Sequence, residues 1–328
     1  MTDKIAGISQ PPRRNAAIDL MRAFSILWIV GIWHVFDYLP DISGGKNDVT
    51  YRVTVALLGL FVLVSGYLMG LKDVPLKARS LREFYLGRFG RIYPPFLLAC
   101  LLFALFKLAD VASLTKAALM VAMLWGPAPF TLWFITMIVL FYAATPLLMA
   151  ARRNGWTFLF VVAGLTFLSA AAHLQWDAVS PRLAMYLPSY CLGLWLGAHD
   201  MPWRKLLLFG LMAAIPAAGI SGLAETRMIE SSVWSTPWAL ALSAALFAAA
   251  MAGEASLPRW GWILFVAQGS YFLYLFHRPV YALFLKIHDP AGWQGRAALI
   301  VLLALPVAVV AAWIGQRLYD RAWAGSRA

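Results

Sequence analysis

Long apolar stretches follow one another along nearly the whole chain, and this feature restricts its fold more than any other. A helix needs roughly 20 apolar residues to cross the hydrocarbon core of a membrane. Only 13% of the 328 residues are charged, about half the share that a soluble domain carries. We therefore predict an all-α polytopic membrane protein with about ten transmembrane helices. The apolar stretches lie at about 17–38, 53–71, 92–108, 131–150, 157–173, 184–199, 206–223, 237–252, 261–287 and 297–316.

Lysine and arginine clusters between these stretches predict their orientation, because cytoplasmic loops collect basic residues. With the basic tail 1–16 in the cytoplasm, the second span returns the chain to the basic loop 72–91. A short apolar stretch at about 114–125 would place every later basic cluster outside if it crossed the membrane. We therefore predict that it does not span and that both termini are cytoplasmic. The expected organisation is one membrane-embedded domain, residues 1–328, ending in a cytoplasmic tail, 317–328.

Charge and cysteine content argue against several other classes of protein. The net charge is +12, but the basic residues are dispersed as loop charges, so we expect no nucleic-acid partner. Cys100 and Cys191 both lie in apolar stretches, which favours buried thiols over a disulfide framework. The five histidines lack the paired spacing of a metal-binding helix, so we expect no metal.

Ionisable residues inside the first span indicate a functional site, because such residues are costly in a membrane. Asp19 and Arg22 are three residues apart and share one face of a helix. His34 follows roughly 18 Å further along the axis, towards the outer half of the membrane. Each also has a simpler interpretation, an interfacial ion pair for the first two and a packing histidine for the third.

Polar and aromatic residues recur in four later sequence blocks. "VLVSGYLMG" contains Ser65 before a glycine, where backbones can approach closely, and "RFGRIYPPF" places Arg88 and Arg91 directly before Tyr93. "LWFITMIVLFYAATPLL" contains Trp133 and Tyr142, although interfaces collect tryptophan in any membrane protein. "SYFLYLFHRPV" contains Ser270, Tyr271, Tyr274 and His277.

Together with the Asp-x-x-Arg and histidine of the first span, these blocks resemble the integral-membrane acyltransferase-3 family. This family comprises bacterial O-acyltransferases of surface glycans and related molecules. The resemblance extends from residue 19 to residue 280 and implies ten spans in the bacterial cytoplasmic (inner) membrane. It also implies acyl-CoA as a donor substrate from the cytoplasm, no permanently bound cofactor, and an acceptor hydroxyl reached near the outer side.

The resemblance also implies roles for individual residues. His34 would be catalytic, with Arg22 and Asp19 beside it in the first span. Arg88, Arg91 and Tyr93 would bind the acyl-CoA donor, since guanidinium groups recognise phosphate oxygens; the alternative is that the arginines only orient the loop. Oxyanion donors remain open among Tyr271, Tyr274 and Arg22. The residues expected to support the site or the acceptor are Ser65, Trp133, Tyr142, Ser270, Tyr271, Tyr274 and His277.

Two departures from the family pattern concern this site directly. The family usually has eleven positions from the arginine to the histidine, whereas Arg22 and His34 are twelve apart. On a regular helix twelve steps leave the two side chains about 120° apart. Either a π-bulge restores the facing, or the two residues serve different parts of the site. Many members also have a histidine where this chain has Thr131.

Several functional alternatives stay open. His34 would act as a general base or as a transient acyl carrier. Acetyl is the default donor group, and an O-succinyl or longer-chain acyltransferase has the same architecture. The acceptor would be a glycan, a lipid-linked sugar or a small hydroxyl compound. A transporter or flippase for a lipid-linked sugar is the alternative of another class, although no inverted repeat is visible.

Overall fold

The computed structural model describes residues 15–39, 42, 44–126 and 128–325. Most of the predicted tail 1–16 and the last three residues of 317–328 lie outside these ranges. Within them the chain is helical and contains no β-strand. The α-helices are α1 (Ala16–Trp28), α2 (Asp48–Gly70), α3 (Ala78–Leu105), α4 (Val111–Ala118), α5 (Trp133–Ala151), α6 (Gly155–Trp176), α7 (Pro181–Leu196), α8 (Trp203–Ser221), α9 (Thr236–Ala252), α10 (Gly261–Ile287), α11 (Gly292–Ala298) and α12 (Leu305–Gly325).

Two π-helical segments and four 3₁₀ segments complete the helical elements of the described ranges. The π segment Ile29–Trp33 continues α1, and the π segment Leu299–Ala304 joins α11 to α12. The final helix continues to Gly325, so residues 317–325 of the predicted tail are helical. The 3₁₀ segments are Val35–Tyr38, Thr226–Ser231, Val233–Ser235 and Glu254–Ser256.

The prediction of an all-α polytopic membrane protein is confirmed. In the described part of the chain, eight helical segments are long and apolar enough to cross a membrane. Helices α7 and α10 occupy the other two predicted spans. The ten-span count, the cytoplasmic termini and the single-domain organisation stay predictions. The eight segments are Ala16–Tyr38, Asp48–Gly70, Ala78–Leu105, Trp133–Ala151, Gly155–Trp176, Trp203–Ser221, Val233–Ala252 and Gly292–Gly325.

The stretch at 114–125 forms no long helix. Its first part belongs to α4, which has eight residues and is followed by turns. At 1.5 Å per residue α4 is roughly 12 Å long, less than half of the hydrocarbon thickness. This length agrees with the prediction that the stretch does not cross the membrane.

Helix α2 lies at the centre of the bundle, packed against α1, α7 and α9, while α10 packs against α1 and α12. The outer helices expose large apolar side chains, among them Phe160 of α6 at 71% and Ile215 of α8 at 79%. A surface of this kind suits lipid rather than water, because apolar side chains gain nothing from leaving a hydrocarbon environment.

Glycines allow α2 and α7 to approach each other closely. A Cβ on Gly66 would lie 2.1 Å from the backbone oxygen of Tyr190, and a Cβ on Gly193 would lie 2.1 Å from that of Leu63. No side chain fits at either distance. The close approach predicted at the Ser65–Gly66 pair is therefore present. It holds α2, the central helix of the bundle, against α7.

Candidate active site

The π segment of the first span restores the alignment of Arg22 with His34. The backbone N–H of His34 donates to the oxygen of Ile29, five residues earlier, at 2.9 Å. A π turn holds one residue more than an α turn, so twelve positions act as roughly eleven. Consequently both side chains face α10: Arg22 Nη2 donates to Ser270 Oγ at 2.9 Å, and His34 contacts His277. Ser270 and His277 are seven residues apart and share one face of α10.

His34 and His277 form a close pair of imidazole rings. Nδ1 of His34 lies 2.9 Å from Nε2 of His277. The ring planes are within 5° of parallel, and the ring centroids are 4.9 Å apart. Nδ1 of His277 also lies 3.0 Å from the oxygen of Leu273 and 2.9 Å from that of Tyr274. His277 is fully buried, whereas His34 keeps 7% of its surface exposed.

That exposed part of His34 faces a cavity of about 130 Å³, which we call the histidine cavity. It lies at the end of the bundle where the first span ends and where α5, α7 and α9 begin. In the predicted topology this is the outer end. Its polar walls distinguish it from a lipid-facing groove. The lining residues are Ile29, Trp33, His34, Asp37, Lys46, Leu58, Ala128, Phe130, Thr131, Trp133, Arg182, Glu230, Tyr274 and Arg278.

One group of ions in this wall is centred on Asp37. Its carboxylate forms ion pairs with both Arg278 and Lys46. The Lys46 ammonium also lies 4.7 Å from the ring centroid of Trp33. Arg278 is only 8% exposed, so its charge depends on Asp37 for compensation. This group therefore links the C-terminal end of the first span to α10.

A second pair, Arg182 and Glu230, stands in the same wall. Arg182 Nη2 lies 3.9 Å from Glu230 Oε1, and the guanidinium carbon lies 4.5 Å from the ring centroid of Trp133. Burial raises the pKa of Glu230 above the ordinary glutamate value, and Arg182 opposes that rise. The pair joins the start of α7 to the connection between α8 and α9.

Sequence reasoning did not select Asp37, Lys46, Arg182, Glu230 or Arg278. Arg278 follows His277 directly inside an apolar span, and Asp37 lies at the end of the first span, so these two carried the signal of an ionisable residue in a membrane. Lys46, Arg182 and Glu230 lie outside the predicted spans. Folding alone brings them together.

The predicted supporting residues of α10 have hydroxyls that already bond to backbone oxygens. Tyr274 lines the histidine cavity, but its hydroxyl donates to the oxygen of Thr131 at 2.6 Å. The hydroxyl of Tyr271 donates to the oxygen of Ile92 at 2.6 Å. With Arg22 bonded to Ser270, each of the three candidate oxyanion donors is engaged in this structure.

Two further residues of the first blocks lie away from the cavity wall. Ser65 donates to the oxygen of Phe61 in its own helix at 2.9 Å. Asp19 is half-buried on α1, one turn before Arg22. Thr131, which replaces the histidine common in the family, does line the cavity and has a left-handed backbone, with φ of 65°. A side chain at this position therefore still borders the site.

The predicted donor-binding residues lie at the other end of the bundle. A cavity of about 260 Å³, which we call the basic cavity, is bordered by Lys72, Arg88 and Arg91 with one acidic neighbour, Glu83. Arg91 is exposed and pairs with Asp320 of α12 at 3.0 Å. The full lining is Met69, Lys72, Val74, Glu83, Phe84, Gly87, Arg88, Arg91 and Met149.

Tyr93 and Tyr142 lie near these arginines rather than near His34. The guanidinium of Arg88 is 5.8 Å from the ring centroid of Tyr142. The Tyr93 hydroxyl donates to the oxygen of Ala118 at 2.9 Å, so it anchors α4 to α3. Both tyrosines border a small recess beside Arg88.

The two cavities share no lining residue, and α2 measures their separation. Leu58 borders the histidine cavity and Met69 borders the basic cavity. These residues are eleven positions apart, or roughly 16 Å along the helix axis. His34 and the predicted donor-binding arginines, Arg88 and Arg91, thus lie at opposite ends of one bundle.

The apolar helices define a multi-pass membrane protein, with a buried histidine pair beside a polar cavity at one end of the bundle and with Arg88 and Arg91 beside a basic cavity at the other. A family model described as an acyltransferase domain, Acyl_transf_3, matches residues 15–316. The chain therefore belongs to the acyltransferase-3 family and is a membrane acyltransferase, as the sequence blocks predicted. No curated protein and no solved structure matches it.

Proposed function

We propose that the protein is an O-acyltransferase that moves an acyl group from cytoplasmic acyl-CoA to a hydroxyl compound near the outer side of the bacterial inner membrane. Membership of the family supports acyl transfer in general. The observation that carries the finer proposal is the position of His34, which borders a polar cavity at the end of the bundle opposite Arg88 and Arg91. Acetyl is the proposed acyl group because short donors are the commonest in the family.

The basic cavity supports acyl-CoA as the donor. Coenzyme A carries three phosphates, and guanidinium groups bind phosphate oxygens in a bidentate manner. The lining of the basic cavity includes three cations, Lys72, Arg88 and Arg91, and one carboxylate, Glu83. Arg91 also pairs with Asp320 outside the lining, and a phosphate would compete for that arginine. From this end the pantetheine arm would reach between the helices towards His34, while the nucleotide stays at the membrane surface.

The histidine cavity supports a polar acceptor, and a sugar hydroxyl on a glycan or lipid-linked intermediate is the proposed one. His34 accepts the hydroxyl proton while the oxygen attacks the thioester carbonyl carbon. The carbonyl π bond opens to an oxyanion, which re-forms the double bond as the carbon–sulfur bond breaks. The thiolate leaves and receives the proton from His34, so the products are an ester and free CoA.

An acyl-histidine route has the same balance in two steps, with His34 attacking the carbonyl before the acceptor does. A radiolabelled acyl group retained on denatured protein in the absence of acceptor would identify this route. Neither route uses a metal ion. In the part of the chain that the structure describes, no group of three or more metal-ligating side chains occurs.

The test is release of free thiol from acetyl-CoA by the purified protein, with succinyl-CoA as a second donor. Arg91→Ala should raise KM for acetyl-CoA by on the order of tenfold, because a charge-assisted bond to phosphate is lost. Arg79→Ala is the matched control, since Arg79 lies on the same helix, 92% exposed and paired with Glu83. If wild type turns over no short acyl-CoA, the donor proposal falls and the transporter alternative takes its place.

A further inference from the structure

The backbone oxygens beside His277 determine where its protons lie. Nδ1 of His277 is within 3.0 Å of two carbonyl oxygens, those of Leu273 and Tyr274. Carbonyl oxygens only accept hydrogen bonds, so this nitrogen must carry a hydrogen. A bare Nδ1 would direct its lone pair at two oxygen lone pairs in a fully buried position. The neutral ring therefore has Nδ1–H and an unprotonated Nε2.

That assignment fixes the proton on His34 as well. Nε2 of His277 is then an acceptor, and its 2.9 Å contact requires a hydrogen on Nδ1 of His34. The nearly parallel ring planes, with centroids 4.9 Å apart, suit an in-plane bond between the two nitrogens. The only other arrangement makes His277 a buried cation next in sequence to Arg278, which is itself 8% exposed.

We propose that His277 is a positioning residue that holds His34 in the Nδ1–H tautomer, with the unprotonated Nε2 of His34 left for the substrate. Neutral histidine in water favours the opposite tautomer, with hydrogen on Nε2, which would block the base. His277 thus does what a carboxylate or carbonyl does for other catalytic histidines, which is to fix the tautomer through the nitrogen that does not react.

The proposal deepens the proposed function and rests on it for the activity readout only. When His34 accepts the acceptor's proton at Nε2, its Nδ1–H bond to His277 becomes charge-assisted and strengthens. This stronger hydrogen bond exists only once His34 carries positive charge. It therefore stabilises the transition state more than the ground state with neutral His34. Truncation of His277 should therefore lower kcat by on the order of 10²-fold or more and leave KM for acyl-CoA unchanged.

The experiment measures the tautomer directly, by ¹⁵N NMR of histidine-labelled protein in bilayers without any substrate. The His34 signal is assigned by its loss in His34→Gln. Wild-type His34 should show a protonated Nδ1 and an unprotonated Nε2. In His277→Leu the tautomer should revert to Nε2–H, and in His277→Gln, whose side-chain oxygen can accept from His34, the Nδ1–H form should persist with part of the activity.

His199→Gln is the matched control, because Nδ1 of His199 also contacts a backbone carbonyl four residues earlier, that of Trp195 at 2.9 Å, while its ring stacks on the Trp195 ring rather than on an imidazole. A wild-type His34 with hydrogen on Nε2 would overturn the proposal, even if acyl transfer is confirmed. If His277→Leu does not fold, the wild-type spectrum still decides. Absence of acyl transfer would refute the proposed function and leave the tautomer result standing.

Discussion

Removing the charge of Asp37 should destabilise the end of the bundle that holds the histidine cavity. Asp37→Asn keeps an oxygen that accepts hydrogen bonds but leaves Arg278 and Lys46 without their shared anion. The side chains of Arg278 and Asp37 are 10% and 24% exposed. Breaking one partner of a buried ion pair costs about 3–5 kcal/mol, and the partial exposure of Asp37 places the expected cost near the lower bound, about 3 kcal/mol.

The measurement is the thermal midpoint of the purified protein in detergent. A cost of about 3 kcal/mol corresponds to a decrease of roughly 4 °C for a chain of this size. Asp289→Asn is the matched control, because Asp289 pairs with Arg296 at 2.8 Å but at 51% and 32% exposure. Such an exposed pair contributes at most about 1 kcal/mol. Equal shifts in the two variants would show that burial does not set the strength of the Asp37 group.

Three further changes test other parts of the structure. Gly66→Ala should destabilise the protein by about 1–3 kcal/mol, because its Cβ would overlap the Tyr190 oxygen. The control is Gly164→Ala, which has open space around it and should stabilise the protein by at most about 1 kcal/mol. The free energies of unfolding of both variants are compared in urea. Because burial raises the folded pKa of Glu230, with Arg182 opposing, its contribution to stability is complete below the unfolded pKa and is lost as pH rises through the folded value. Glu230→Gln should therefore flatten that part of the plot of thermal midpoint against pH, and an unchanged plot would contradict the burial argument. Deleting Ile32 should convert the π turn to an α turn and preserve acyl-CoA turnover. Inserting an alanine after Ile32 should instead rotate the His34 side chain by roughly 100° about the helix axis and abolish acyl-CoA turnover.

The membrane-spanning helices were predictable because their signals are local. Hydropathy and basic loops act within single segments, so the ten apolar stretches all correspond to helices of the structure. The close approach at Gly66 follows from a small residue in a span. The irregular spacing of Arg22 and His34 left open a π turn or separate roles for the two residues, and the structure places a π turn between them at Ile29–Trp33.

The walls of the histidine cavity were not predictable, because they come from long-range packing. Lys46, Arg182 and Glu230 lie outside the predicted apolar stretches, where hydropathy treats them only as loop charges. Nothing local shows that they share one cavity with Asp37. The engaged hydroxyls of Tyr271 and Tyr274 were missed for the same reason: their acceptors, on Ile92 and Thr131, are more than a hundred residues away in sequence.

The most direct test of His34 as the reacting group is kcat for thiol release from acetyl-CoA, measured in wild type, His34→Gln and His199→Gln. Gln keeps the polar size of the side chain at the cavity but cannot act as a base or nucleophile. A decrease in kcat of about 10²–10⁴-fold in His34→Gln alone, with KM for acetyl-CoA unchanged, is the expected result. A His34→Gln variant with wild-type kcat would contradict the proposed chemistry and leave His34 as a packing residue.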